Sequence, residues 1–142
     1  MSRLEIATMA ETVGEIGRIC VLVVEDEFLI SEWVAESLTQ QGFAVSTATN
    51  AADALRQLQS SPVDVLFTDI NLPGSIDGTM LARRARELLP ELTVAYASGR
   101  VNTLDQRLRV AGSVFVAKPY VPAQLGRLLA DTFNGVAARV PA

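Results

Sequence analysis

Residues 21–27 read VLVVEDE, four aliphatic residues running straight into three acids. With Ile19 and Cys20 in front, Ile19–Val24 forms a continuous apolar run, the pattern of a short strand buried on both faces of a parallel sheet. The acids mark where the chain leaves that sheet. Working outward, Ile30, Trp33, Val34 and Leu38 then repeat at helical spacing, and Gly42 is placed to end the helix. Phe43–Ala48 alternates as a second strand, and Asn50 caps a helix carrying Ala54, Leu55 and Leu58. Pro62 opens a third unit, with Val63–Thr68 as strand and Asp77–Leu89 as helix, stopped by Pro90. Leu92–Ala97 is a fourth strand. Asn102 is the N-cap expected for a further helix with Leu104, Leu108 and Ala111 inward and Gly112 at its end. Val114–Ala117 is the fifth strand, and Pro122 takes the first turn of a helix with Leu125, Leu128, Leu129 and Phe133.

Five strand-then-helix units predict a parallel sheet with helices on both faces. Right-handed crossovers leave few topologies, and the flavodoxin-like, doubly wound order 2-1-3-4-5 is the expected one. The 142 residues suit one domain, assigned to residues 18–134, with a leader over 1–17 and a tail over 135–142. Forty-nine per cent hydrophobic and 20 % charged residues belong to a globular chain. The absence of histidine excludes His-based metal sites and triads, and a formal charge of −4 argues against nucleic acid as the main partner. No apolar run approaches the roughly 20 residues of a membrane span. A single cysteine, Cys20, fits a reducing compartment, so a cytoplasmic location is expected. In the leader, Ile6, Met9, Val13 and Ile16 have helical spacing while Gly14 and Gly17 oppose it; disorder and a loosely docked helix both stay open.

In such sheets ligands bind beyond the carboxyl ends of the strands. Strand one ends in Glu25, Asp26 and Glu27, strand three in Asp69, strand four in Ser98-Gly99 and strand five in Lys118-Pro119. Taken singly, each is an ordinary cap, turn or solvated charge. Four strand ends supplying complementary groups to one edge are a different matter, because a sheet needs none of them for stability. Clustered carboxylates repel one another and raise each other's pKa, and a divalent cation removes the conflict. Two carboxylates, a carbonyl and waters suit Mg²⁺. A phosphoryl group would then find its oxygens neutralised by the metal and Lys118, a hydrogen bond from Ser98, and Asp69 as nucleophile.

Four stretches, VLVVEDE (21–27), DVLFTDINLPGSIDG (64–78), VAYASG (94–99) and VFVAKPY (114–120), together resemble a response-regulator receiver domain, the phospho-acceptor of two-component signalling. The resemblance covers about residues 18–134. It implies that Glu25 and Asp26 hold Mg²⁺ with Asp69 and the backbone carbonyl of Asn71, and that Asp69 accepts phosphate. It further implies that Ser98 and Lys118 stabilise the phosphoryl group, that Ser98 and Phe115 form the switch, and that Lys118-Pro119 is cis. Glu25 stands where Asp is commoner, Phe115 where Tyr is commoner, and Arg100 at a position resembling those that tune dephosphorylation. With only residues 135–142 after the last helix, the chain resembles a single-domain type. It is then a phosphorelay component rather than an enzyme, and its partners are a histidine kinase or histidine phosphotransfer protein and a downstream protein target, with homodimerisation left open. The rival is an aspartyl-nucleophile phosphatase of the haloacid dehalogenase type, but its general-acid position, two residues after the nucleophile, is here Asn71. Trp33 is expected in the core, Cys20 as a small buried hydrophobe, and Arg83, Arg84 and Arg86 as a solvated helix face.

Overall fold

The computed structural model describes residues 18–99 and 108–135. Five strands, β1 (Cys20–Val24), β2 (Ala44–Ala48), β3 (Val65–Asp69), β4 (Thr93–Ser98) and β5 (Val114–Ala117), form one parallel sheet in the order β2-β1-β3-β4-β5. Four helices are described: α1 (Phe28–Gln40), α2 (Ala51–Ser60), α3 (Gly78–Leu88) and α4 (Pro122–Phe133). The doubly wound order read from the sequence is the one observed.

Alternation along the strands divides the interior in two, because successive side chains point to opposite faces. Leu22, Val24, Leu66, Val94 and Tyr96 pack on Ala54 and Leu58 of α2 and Leu81, Ala82 and Ala85 of α3. Val21, Val23, Val65, Phe67, Ala95 and Val116 pack on Val34 and Leu38 of α1 and Leu125 and Leu129 of α4. Helix starts follow the expected chemistry: Asn50 accepts from the Asp53 amide at 2.8 Å, Asp77 from the Met80 amide at 2.9 Å, and Pro122 occupies the first turn of α4. At the opposite edge of the sheet, the Cys20 amide donates to the Asp64 carboxylate at 2.8 Å, tying β1 to the entry of β3.

Four expectations need correction. Trp33 is 55 % exposed, because α1 turns Ser31, Val34 and Leu38 inward and leaves Trp33 on its outer side. Cys20 is half-buried rather than enclosed. Arg86 is half-buried and donates from Nη2 to the Ala111 carbonyl at 2.9 Å, so it is no solvated charge. Most of the helix expected from Asn102 lies outside the described residues, as does Arg100. Residues 108–112 are not helical there, and Leu108 and Ala111 are exposed. The Val110 carbonyl accepts from the Ser113 amide at 3.2 Å and its hydroxyl at 2.7 Å, closing a turn in which Gly112 takes φ +72°. The leader 1–17 lies outside the described residues.

Candidate functional site

The sheet's carboxyl edge gathers the predicted groups through register. Val24 pairs with Thr68, so Glu25 and Asp69 are the next residues on adjacent strands; Asp69 in turn pairs with Ala97, just before Ser98. Glu25 and Asp69 are buried, at 3 % and 7 % exposure, and Asp26 is exposed. Carboxylate oxygens of Glu25, Asp26 and Asp69 all lie within 4.8 Å of one another. Lys118 reaches in from beyond β5, its Nζ 2.9 Å from Asp69 Oδ2 and 3.7 Å from Glu25 Oε2. The Lys118 amide donates to the Ser98 carbonyl at 3.0 Å, and the Lys118-Pro119 peptide is cis. Ser98 is buried at the end of β4. Asn71 is exposed, two residues beyond Asp69. Phe115 is half-buried, pairs in register with Tyr96 and packs on the core shared with α2 and α3.

Electrostatics refine the picture of mutual repulsion. Burial is the main force pushing the Glu25 carboxyl above its ordinary range; the Glu27 amide, donating to it at 3.1 Å, pulls it back, and the Asp69 charge pushes it up again. Burial alone would lower Lys118, but the hydrogen bond and charge of Asp69, then Glu25 and Glu27, outweigh it and hold the ammonium above its usual pKa. One half-buried lysine thus faces two buried carboxylates, with the exposed Asp26 at the rim. A set of close-set carboxylate oxygens with no nitrogen or sulfur donor fits a small hard cation such as Mg²⁺.

Two contributors had gone unassigned. Gly78 begins α3 against the backbone of Asp69: a Cβ at 78 would lie 2.0 Å from the Asp69 carbonyl oxygen and 2.8 Å from Ile70 Cα. Only glycine lets the helix approach so closely. Its signal was present as the last residue of the 64–78 stretch. Tyr120 crosses Phe67 edge-on, ring centroids 5.5 Å apart, and its phenol is held above its ordinary pKa by burial and then by Glu25 and Asp69. An aromatic after Pro119 announces nothing of the sort.

A parallel 2-1-3-4-5 sheet with an aspartate, an acidic pair and a lysine at its carboxyl edge defines a phospho-acceptor module. Residues 21–130 match the response regulator receiver domain family, and the chain belongs to it. Aerobic respiration control protein ArcA of Escherichia coli K12 is 30 % identical over 120 residues, covering 80 % of this chain and 50 % of that protein. Response regulator receiver protein CpdR of Brucella abortus is 35 % identical over 79 residues, covering 56 % of this chain and 65 % of CpdR. The chain therefore spans about half the length of its ArcA relative. A response regulator receiver protein from Sinorhizobium medicae superimposes with a TM-score of 0.78 at 28 % identity, covering 85 % of this chain and 98 % of that one. The receiver domain of the hybrid histidine kinase CckA gives 0.68 at 28 % identity, covering 80 % and 98 %. These matches place the chain among two-component phospho-acceptors rather than haloacid dehalogenases. Among the described residues, no helix is long and apolar enough to cross a membrane.

Proposed function

We propose that Asp69 accepts a phosphoryl group from a phosphohistidine of a histidine kinase or histidine phosphotransfer protein, and that the acceptor then signals by protein contact or passes the group on. The supporting observation is the Lys118 ammonium, 2.9 Å from Asp69, facing two buried carboxylates. Glu25, Asp26, Asp69 and the Asn71 carbonyl would hold Mg²⁺, which when bound screens the charge of phosphoryl and carboxylate oxygens. The remaining roles belong to the chain. An Asp69 oxygen attacks phosphorus, the bond from phosphorus to the donor nitrogen breaks, and the electron pair stays on the imidazole. Lys118 balances charge gathering on the phosphoryl oxygens, and the Ser98 hydroxyl donates to one of them. The 142 residues contain no histidine, so the donor imidazole lies outside them.

A hollow of about 340 Å³ beside the site, lined by Ile30, Trp33, Lys118, Pro119 and Tyr120, suits the donor's approach. Phe28, Leu29 and Val121 stand exposed in the same segments. An apolar surface that shares Lys118 with the acceptor is where a donor protein gains most from burying it. On the output side, Ser98 and Phe115 are the switch pair, with Phe115 settling against Tyr96 when the Ser98 hydroxyl turns to the phosphoryl group.

Incubation with Mg²⁺ and acetyl phosphate, followed by intact mass, tests the acceptor. One acid-labile phosphoryl adduct is expected on the wild-type chain and none on Asp69→Asn. The same adduct on the variant overturns the assignment.

A further inference from the structure

Away from the acidic pocket, α3 and the segment leading into β5 line a second hollow, open to solvent and of about 410 Å³, whose described lining is Arg83, Arg86, Glu87, Arg109, Val110 and Ala111. Among the described residues of this lining, three guanidinium groups against one carboxylate leave an excess of two positive charges, in a chain whose total is −4. The arginines are not spent on acids. Arg86 donates from Nη2 to the Ala111 carbonyl at 2.9 Å, and Arg109 donates from Nε to Ser113 Oγ at 3.0 Å and from Nη2 to the Ser113 carbonyl. None of the three is ion-paired with another described residue. Among the described residues, Arg86 Nε is buried with no acceptor, a costly state for a charged donor. The floor is firm, because the Val110 amide donates to the buried Tyr96 hydroxyl at 3.1 Å. That phenol is pushed above its usual pKa by burial, and the Val110 bond and then Arg109, Arg86 and Arg83 pull it back down.

We propose that this hollow binds a diphosphate group, free or carried by a small organic molecule. Guanidinium forks match phosphate oxygens two at a time; the Ala111 and Ser113 carbonyls hold the Arg86 and Arg109 side chains at the hollow, and Arg83 is exposed beside them. Arg83 and Arg86 lie three apart on α3, so their stems rise from neighbouring points of one face. The volume falls in the range of about 300–1,000 Å³ usual for ligand pockets, and a lone phosphate would leave most of it empty. Val110 and Ala111 supply an apolar wall, and an adjoining hollow of about 350 Å³, lined by Arg109, Val110, Ala111 and Gly112, extends it.

The test is a titration of the ¹⁵N-labelled full chain, free of Mg²⁺, with pyrophosphate, ADP and inorganic phosphate. Saturable shifts are expected at residues 83–87 and 108–113 with pyrophosphate and ADP, and binding at least tenfold weaker with inorganic phosphate. Tighter binding of ADP than of pyrophosphate assigns the apolar wall to an organic moiety; equal or weaker binding assigns the site to the free diphosphate. Arg83→Gln, at an exposed position that leaves folding intact, should weaken both at least tenfold, whereas Lys118→Ala should change neither. Shifts that fail to saturate, that persist unchanged in Arg83→Gln, or that centre on residues 25, 69, 98 and 118 overturn the proposal. So does tighter binding of a polyglutamate peptide, which would mark an acidic protein surface as the occupant.

Discussion

Helices α1 and α3 lie against the two interior clusters of the sheet and begin beside the same site, yet they spend their apolar residues differently. α3 buries Leu81, Ala82 and Ala85, and what it shows solvent, Met80 and Leu88, is less than half exposed. α1 buries Val34 and Leu38 but leaves Phe28 at 67 %, Leu29 at 81 % and Trp33 at 55 % exposure. Their starts differ as well: Asp77 caps α3 with its carboxylate, while Glu27 makes no side-chain cap for α1. In its apolar residues, α3 is shaped for the fold alone. Of the surplus on α1, Trp33 lines the hollow that Lys118 also lines, and the donor contact proposed above would use it.

The comparison breaks first in the core, where the helices should behave alike. Leu81→Ala and Leu38→Ala, each at a site with 0 % exposure, are expected to cost about 2–5 kcal/mol in urea unfolding. A loss below 1 kcal/mol at Leu38 would mean α1 is not docked as described. Next is the site between their starts. Glu25, Asp26 and Asp69 crowd their charge, so Mg²⁺ at ten times its Kd should stabilise the chain by about 1.4 kcal/mol, read as a rise in Tm over chelator. The gain should vanish in Asp26→Asn.

The helix starts give a smaller contrast. Asp77→Ala is expected to cost about 1 kcal/mol and Glu27→Ala only a few tenths, because only the former accepts from a helix amide. Equal losses would erase the distinction. The smallest effect on stability is the most informative. Leu29→Ala and Trp33→Ala should stay within about 0.5 kcal/mol of wild type in urea. Their phosphorylation by a donor protein should nevertheless slow about tenfold while that by acetyl phosphate holds. Equal slowing with both donors would refute the docking role of α1.

Trp33 also marks where sequence legibility ended. The apolar runs of β1 and β3, the Asn50 cap and the first-turn Pro122 were readable because each obeys a local rule with one outcome. Helical spacing on α1 has several outcomes, since Phe28, Leu29, Ile30, Trp33, Val34 and Leu38 cover more than one stripe and only docking decides which side turns inward. The strand-end groups were legible as a set because the parallel topology brings all strand ends to one edge. Long-range contacts were not: that Arg86 would find the Ala111 carbonyl, or that Tyr120 would feel Glu25 and Asp69. Those facts depend on residues far apart in sequence meeting at ångström precision.

The contact at Gly78 carries one more consequence. Its amide donates to the Ile70 carbonyl at 2.7 Å, so the chain leaving Asp69 is pinched shut again before α3 starts. Everything between forms a closed loop whose tip, Pro73 to Ser75, is exposed. Residues can be added or removed at that tip without moving the aspartate or the helix, since neither end of the loop registers its length. The site is thereby insulated from the exposed loop beside it, whose length and sequence can change while the acceptor geometry is kept.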